Sequence, residues 1–188
     1  GQSEAAAGHP FVAALAALTR LGHQPALELI TQLAWTEEGE LAKAARNALS
    51  YFPGDNADKA VLGLLRHKQA EARLAAVELI GQGALDKPAA VLMPVAKEDA
   101  DGNIRTAALR VLQECAGIDE MPALLGLLEK GAADADKQAA ERVLGALVVR
   151  QKRMPTGDIT IEKALYGDLP DGASSDVTDK VQQLVASN

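Results

Sequence analysis

The stretch Arg73-Leu74-Ala75-Ala76-Val77-Glu78-Leu79-Ile80-Gly81 lines up with Arg105-Thr106-Ala107-Ala108-Leu109-Arg110-Val111-Leu112 and with Lys137-Gln138-Ala139-Ala140-Glu141-Arg142-Val143-Leu144-Gly145. A weaker copy begins at Lys43 and runs Ala44-Ala45-Arg46-Asn47-Ala48-Leu49. The basic anchors that open these copies are 30, 32 and 32 residues apart. Counting from Arg73, Arg105 and Lys137, small residues fall at +2 and +3 and aliphatic ones at +6 and +7. Those positions recur at i+4, so they share one face of a helix and not of a strand. The alanines permit close helix approach, and the aliphatic pair extends the same stripe.

A second apolar helix precedes each copy, expected over Pro25 to Trp35, Asp58 to Arg66, Pro88 to Lys97 and Met121 to Lys130. Pro25, Pro88 and Pro122 fall in first turns, where a missing N–H costs nothing. Gly54, Gly83, Gly102, Gly117 and Gly131 punctuate the connections. Each unit is therefore helix, short turn, helix, with a period near 31 residues. One such hairpin cannot bury its own stripe, so stacking has to supply the core.

The pattern of a basic residue, Ala-Ala and an aliphatic pair resembles HEAT repeats, in particular the short bacterial kind seen in bilin-lyase-like proteins. The resemblance covers roughly 11–153, about four repeats. It implies an all-α, α-solenoid fold, an armadillo-like superhelix of about four helical hairpins, over 9–153. A short extension follows over 154–188, with one strand and a final helix capped by Asp176 or Thr178. There, Tyr166-Gly167-Asp168-Leu169-Pro170-Asp171-Gly172 and Asp176-Val177-Thr178 resemble the start of a small β module. Such modules follow HEAT arrays in secreted bacterial proteins.

Composition agrees with the helical reading. Of 188 residues 48% are hydrophobic, yet only 3% are aromatic, which suits close-packed helices better than a β-sandwich. The net charge of −7 disfavours nucleic acid and anionic membranes as partners. The single Cys115 precludes an internal disulfide or a multi-cysteine zinc site. No apolar run is long enough to span a bilayer. Gly1-Gln2-Ser3 is compatible with a processed end, which weakly favours an extracytoplasmic location after signal-peptide removal. The acidity is concentrated in the last 35 residues, where Lys163 and Lys180 face six acids.

No catalytic constellation emerges. His9, His23 and His67 share no ligand spacing, and neither a nucleophile elbow nor a phosphate loop is present. Cys115 reads as a small hydrophobe near Leu112. The chain is expected to be no enzyme, and to need no metal or cofactor. The anchors Lys43, Arg73, Arg105 and Lys137 read as a structural ladder pairing with turn acids and helix ends between repeats, with Asp99, Asp101, Asp134 and Asp136 just upstream as partners, in preference to an anion site. The basic run Arg142, Arg150, Lys152 and Arg153 is explained by the dipole of its own helix. Trp35, Tyr51 and Phe52 are expected to meet beneath one loop, as a core cluster or as an aromatic platform.

Positions +1 and +5 lie one turn apart and off the apolar stripe. They form the row Ala44/Ala48, Leu74/Glu78, Thr106/Arg110 and Gln138/Arg142. Solenoids bind partners along successive second helices, so this row is the candidate surface for a protein or peptide. Its mixed charge suits protein recognition better than a phosphate backbone. Two alternatives follow from the resemblance. One is an accessory domain of a larger secreted carbohydrate-active enzyme, such as a keto-disaccharide hydrolase, with the chemistry in covalently linked domains. The other is an enzyme like the HEAT-like DNA glycosylases or bilin lyases, for which no residue set is present.

Overall fold

The computed structural model describes residues 10–128 and 133–153, together with Asp179, Gln182, Gln183 and Ala186. All regular structure among these is helical. Two compact units are formed, Gly1–Asp86 and Lys87–Asn188. The division falls inside the 9–153 segment, at the Gly83-Ala84-Leu85-Asp86-Lys87 connection.

The first unit contains α1 (Pro10–Arg20), α2 (Gln24–Thr36), α3 (Gly39–Ser50), α4 (Asn56–Leu64) and α5 (Ala70–Gly81). Helix α2 pairs with α3, α4 with α5, and α1 lies on α3. The second unit contains α6 (Pro88–Glu98), α7 (Gly102–Cys115), a 3-10 turn (Ile118–Glu120), α8 (Met121–Gly126) and α9 (Asp134–Arg153). Helix α6 pairs with α7, and α9 packs on both α7 and α8. Thus α2, α4, α6 and α8 are first helices of successive hairpins, and α3, α5, α7 and α9 are second helices. Helix α8 is shorter than the Met121 to Lys130 stretch expected, because Leu127 and Leu128 already turn away from it.

Local chemistry explains the boundaries. After α1 and α5, Gly22 and Gly83 adopt φ of +60° and +94°. In each case the next N–H bonds back to the carbonyl five residues earlier, His23 to Leu18 and Ala84 to Leu79. This left-handed exit closes the otherwise orphaned carbonyls of the last turn. A Cβ at Gly22 would also come within 3.0 Å of Pro53 Cγ. Asp101 caps α7 by accepting the Asn103 N–H at 2.8 Å. Pro25, Pro88 and Pro122 occupy first turns as their sequence positions predict.

Burial follows the repeat register. At +3, Ala76, Ala108 and Ala140 are fully buried, and at +7 so are Leu112 and Leu144, with Ile80 close behind at 2% exposed. Position −1 is buried in all four copies: Ala42, Ala72, Ile104 and, uniquely polar, Asp136. Hydrogen bonds also repeat at the period within each unit. Asn56 Nδ2 donates to Gln24 Oε1 across 32 residues, and Arg105 Nε to Asp136 Oδ2 across 31.

The anchors do not open their helices. Arg73, Arg105 and Lys137 each stand fourth, and Lys43 fifth. Acids occupy the first turns of α3, α5 and α9 instead, as Glu40, Glu71, and Asp134 with Asp136, where the helix dipole favours them. The aromatic trio does not assemble either. Trp35 ends α2 and Tyr51-Phe52 follow the end of α3, so an antiparallel pair puts them at opposite ends. Trp35 stacks obliquely on His67 with centroids 5.1 Å apart, Phe52 is buried, and Tyr51 is 80% exposed. The strand and β module expected over 154–178 lie outside the described residues. Of the final helix, Asp179, Gln182, Gln183 and Ala186 are helical and exposed.

Candidate functional site

The two arginine anchors are turned onto backbone in the same way. Arg73 Nη1 donates to the carbonyls of His67 and Lys68 at 3.0 and 3.1 Å. Arg105 Nη1 donates to those of Asp99 and Ala100 at 2.8 and 3.5 Å. Both reach six and five residues back, which only a residue a full turn into the helix can do. The rest of the Arg105 guanidinium is taken by Asp136, whose Oδ2 lies 2.9 Å from both Nε and Nη2. Its acid partner is therefore one period downstream. Asp101 and Asp99 nearby serve the backbone as helix cap and turn acceptor. Lys43 is exposed and Lys137 half-buried.

Two further arginines tie helices together. Arg46, at +3, donates from Nε to Ala34 O at 2.9 Å and pairs through Nη1 with Glu78 at 2.9 Å. Arg150 does not serve the end of its own helix. It donates to the carbonyls of Gln113, Glu114 and Ala116 at 3.0, 2.6 and 2.8 Å, closing the C-terminus of α7. Replacing Arg150 with alanine is expected to cost about 1.5 kcal/mol in urea unfolding, the usual worth of a charged donor on partly buried carbonyls. Cys115, the last residue of α7, is half-buried and bonded to Val111 O. Burial first, and then the Glu120 carboxylate, push its thiol above the ordinary range, with Arg150 acting in the opposite sense. That favours the unreactive protonated form.

The candidate row is divided between the units. In the first, Leu74 is half-buried, Glu78 is held by Arg46, and Ala44 and Ala48 line a groove of about 300 Å³ between α1 and α3. In the second, Thr106, Arg110 and Arg142 line a groove of about 350 Å³ between α7 and α9. Gln138 is exposed outside this lining.

Both grooves draw on the same register of a second helix. Positions +1, +4, +5 and +8 supply Ala44, Asn47 and Ala48 in α3 with Tyr51 just past its end, and Thr106, Leu109, Arg110 and Gln113 in α7. Asn47, Leu109 and Gln113 are not legible as site residues, although they share the +1/+5 face by helical spacing; Tyr51 is legible only as a member of the aromatic trio. Chemically the grooves differ. The first is largely apolar, its polar members being Asn47, Arg20, the Tyr51 hydroxyl and Thr19, whose hydroxyl is committed to Leu15 O. The second presents Arg110 and Arg142 over a floor of Leu109 and Ala139, with no carboxylate in its lining. Among the described residues neither guanidinium has a hydrogen bond or ion pair. The Thr106 hydroxyl is committed to Gly102 O.

Among the described residues no three His, Cys, Asp or Glu side chains gather as a metal site, and no helix is long and apolar enough to cross a membrane. No protein-family model matches the chain, and a search of curated proteins finds no match.

Proposed function

We propose that this chain is a non-catalytic interaction module, a HEAT-like α-solenoid that holds a protein or peptide partner along the groove-lining register of its second helices. The observation that carries this reading is the recurrence of a groove at +1, +4, +5 and +8 in both α3 and α7. Each groove is lined by helix-held side chains at the same register, the kind of surface by which stacked hairpins recognise extended partners. Helix-held side chains with fixed spacing can select such a partner without chemistry.

Polarity of the second groove specifies part of the partner. Two unpaired guanidiniums in a chain of net charge −7 are a local reversal of field, suited to Asp or Glu side chains in a peptide. The test is selection of random dodecapeptides displayed on phage against the full chain, followed by affinity measurement on Arg110→Glu/Arg142→Glu. Acidic peptides should be enriched, and the double reversal should weaken them by about tenfold or more, with strong salt dependence. Absence of enrichment, or equal binding to the variant, would remove this reading.

A further inference from the structure

Helices α7 and α9 run side by side in the same direction. Arg105, near the start of α7, reaches Asp136 near the start of α9, and Arg150, late in α9, reaches the carbonyls of Gln113, Glu114 and Ala116 where α7 ends. Gln113 is thus at the C-terminal end of the groove between them, and α9 finishes at Arg153 beyond that same end. Arg110 and Arg142 are exposed in the groove, and no carboxylate among its lining residues answers them.

The chain that leaves α9 at this end has the opposite charge. Residues 1–153 carry 17 basic and 20 acidic side chains, whereas 154–188 carry two against six. Four of the six, Asp158, Glu162, Asp168 and Asp171, fall within 158–171, where Lys163 is the one basic residue. Reach is sufficient. Arg142 stands 11 residues before Arg153, about 16 Å back along the helix. The five residues from 154 to 158 span up to about 17 Å when extended, so each of the four acids can return to the groove. Ile159, Ile161 and Leu165 between them match its floor of Leu109 and Ala139.

We propose that residues 158–171 occupy the α7/α9 groove in the free chain, with their carboxylates paired to Arg110 and Arg142, so that an acidic partner has to displace them. Charge complementarity selects this segment, and the covalent link favours it over other molecules. A segment joined to α9 by a few residues meets the groove at an effective concentration in about the millimolar range. A partner or a second copy at micromolar concentration is roughly a thousandfold more dilute. Asp179, beyond the segment, is exposed and has no part in the pairing. Control of partner binding in this way rests on the acidic-peptide reading of the groove, whereas the occupancy needs no partner.

The test begins with the full chain alone. Phenylglyoxal labels arginine side chains, and peptide mass spectrometry reads the rate at each. Arg110 and Arg142 should react about fivefold or more slowly than the exposed Arg66. The gap should close in Asp158→Asn/Glu162→Gln/Asp168→Asn/Asp171→Asn, and in the parent at about 1 M salt. It should persist on about fiftyfold dilution. Equal labelling of the three arginines in the parent overturns the occupancy, as does protection that the four-acid variant retains. Protection lost on dilution also overturns it, because the segment would then come from a second copy. The acidic dodecapeptides selected for the groove should bind the four-acid variant about fivefold more tightly than the parent. Equal peptide affinity overturns the displacement and leaves partner binding standing. Protection without any enriched acidic peptide does the reverse, upholding the occupancy and removing the interaction reading.

Discussion

Arg105→Met is expected to lower the unfolding free energy by about 3 kcal/mol, the cost of leaving a buried carboxylate without its cation. Asp136 is 4% exposed, and its Oδ1 already lacks a hydrogen-bond partner among the described residues. Among the described residues Arg105 is the cation paired with it, through Oδ2. The repeat itself supplies the control. Position −1 is Ala42, Ala72 and Ile104 in the other copies, all buried, so Asp136→Ala restores what the fold ordinarily places there. The double variant Arg105→Met/Asp136→Ala should recover most of the loss, ending about 1 kcal/mol below the parent for the missing bond to Asp99 O. Urea unfolding followed by circular dichroism measures all three variants. A single-variant loss below about 1 kcal/mol would mean that water reaches Asp136 and the pair is a surface one.

Leu112→Ala should cost about 3 kcal/mol. The side chain is fully buried at +7 of α7, a helix enclosed between α6 and α9. Truncation removes the transfer energy of three carbons and leaves a cavity that two packed neighbours cannot close. Val111, one residue earlier and half-buried, is the comparison: Val111→Ala should cost about 1 kcal/mol or less. Equal losses at the two positions would contradict the assignment of +7 as the buried stripe. The same denaturation experiment reads both, with the slope checked so that the change lies in stability and not in compactness.

Most of the secondary structure was legible because it depends on periodicity and on local punctuation. The Ala-Ala and aliphatic positions predicted the buried faces of α5 and α9 well, and first-turn prolines marked α2, α6 and α8. Errors arose where a side chain answers to something distant in sequence. Spacing names turn acids and helix ends as partners of Arg105, but not that its carboxylate, Asp136, comes from the next hairpin. Arg150 was assigned to the dipole of its own helix, but its length lets it reach the open carbonyls of α7. Trp35, Tyr51 and Phe52 are close in sequence and yet separated by the length of α3, because an antiparallel pair sends its two C-termini apart.

The candidate site was read in the same incomplete way. Thr106, Arg110 and Arg142 come to one groove, while Gln138 falls outside its lining and Glu78 is drawn to Arg46. Spacing along one helix identifies which side chains share a face. It carries no information about how wide a gap the neighbouring helix leaves beside them, and so Asn47, Leu109 and Gln113 are not singled out by it.

The sequence by itself determined the helical class, the hairpin unit and the buried stripe, since apolar periodicity and backbone punctuation act within one or two turns. Only the tertiary structure decided that a polar Asp136 occupies a core position and that the grooves recur at one register. Each of these depends on side chains about one repeat apart in sequence, and their distance is set by how successive helices pack.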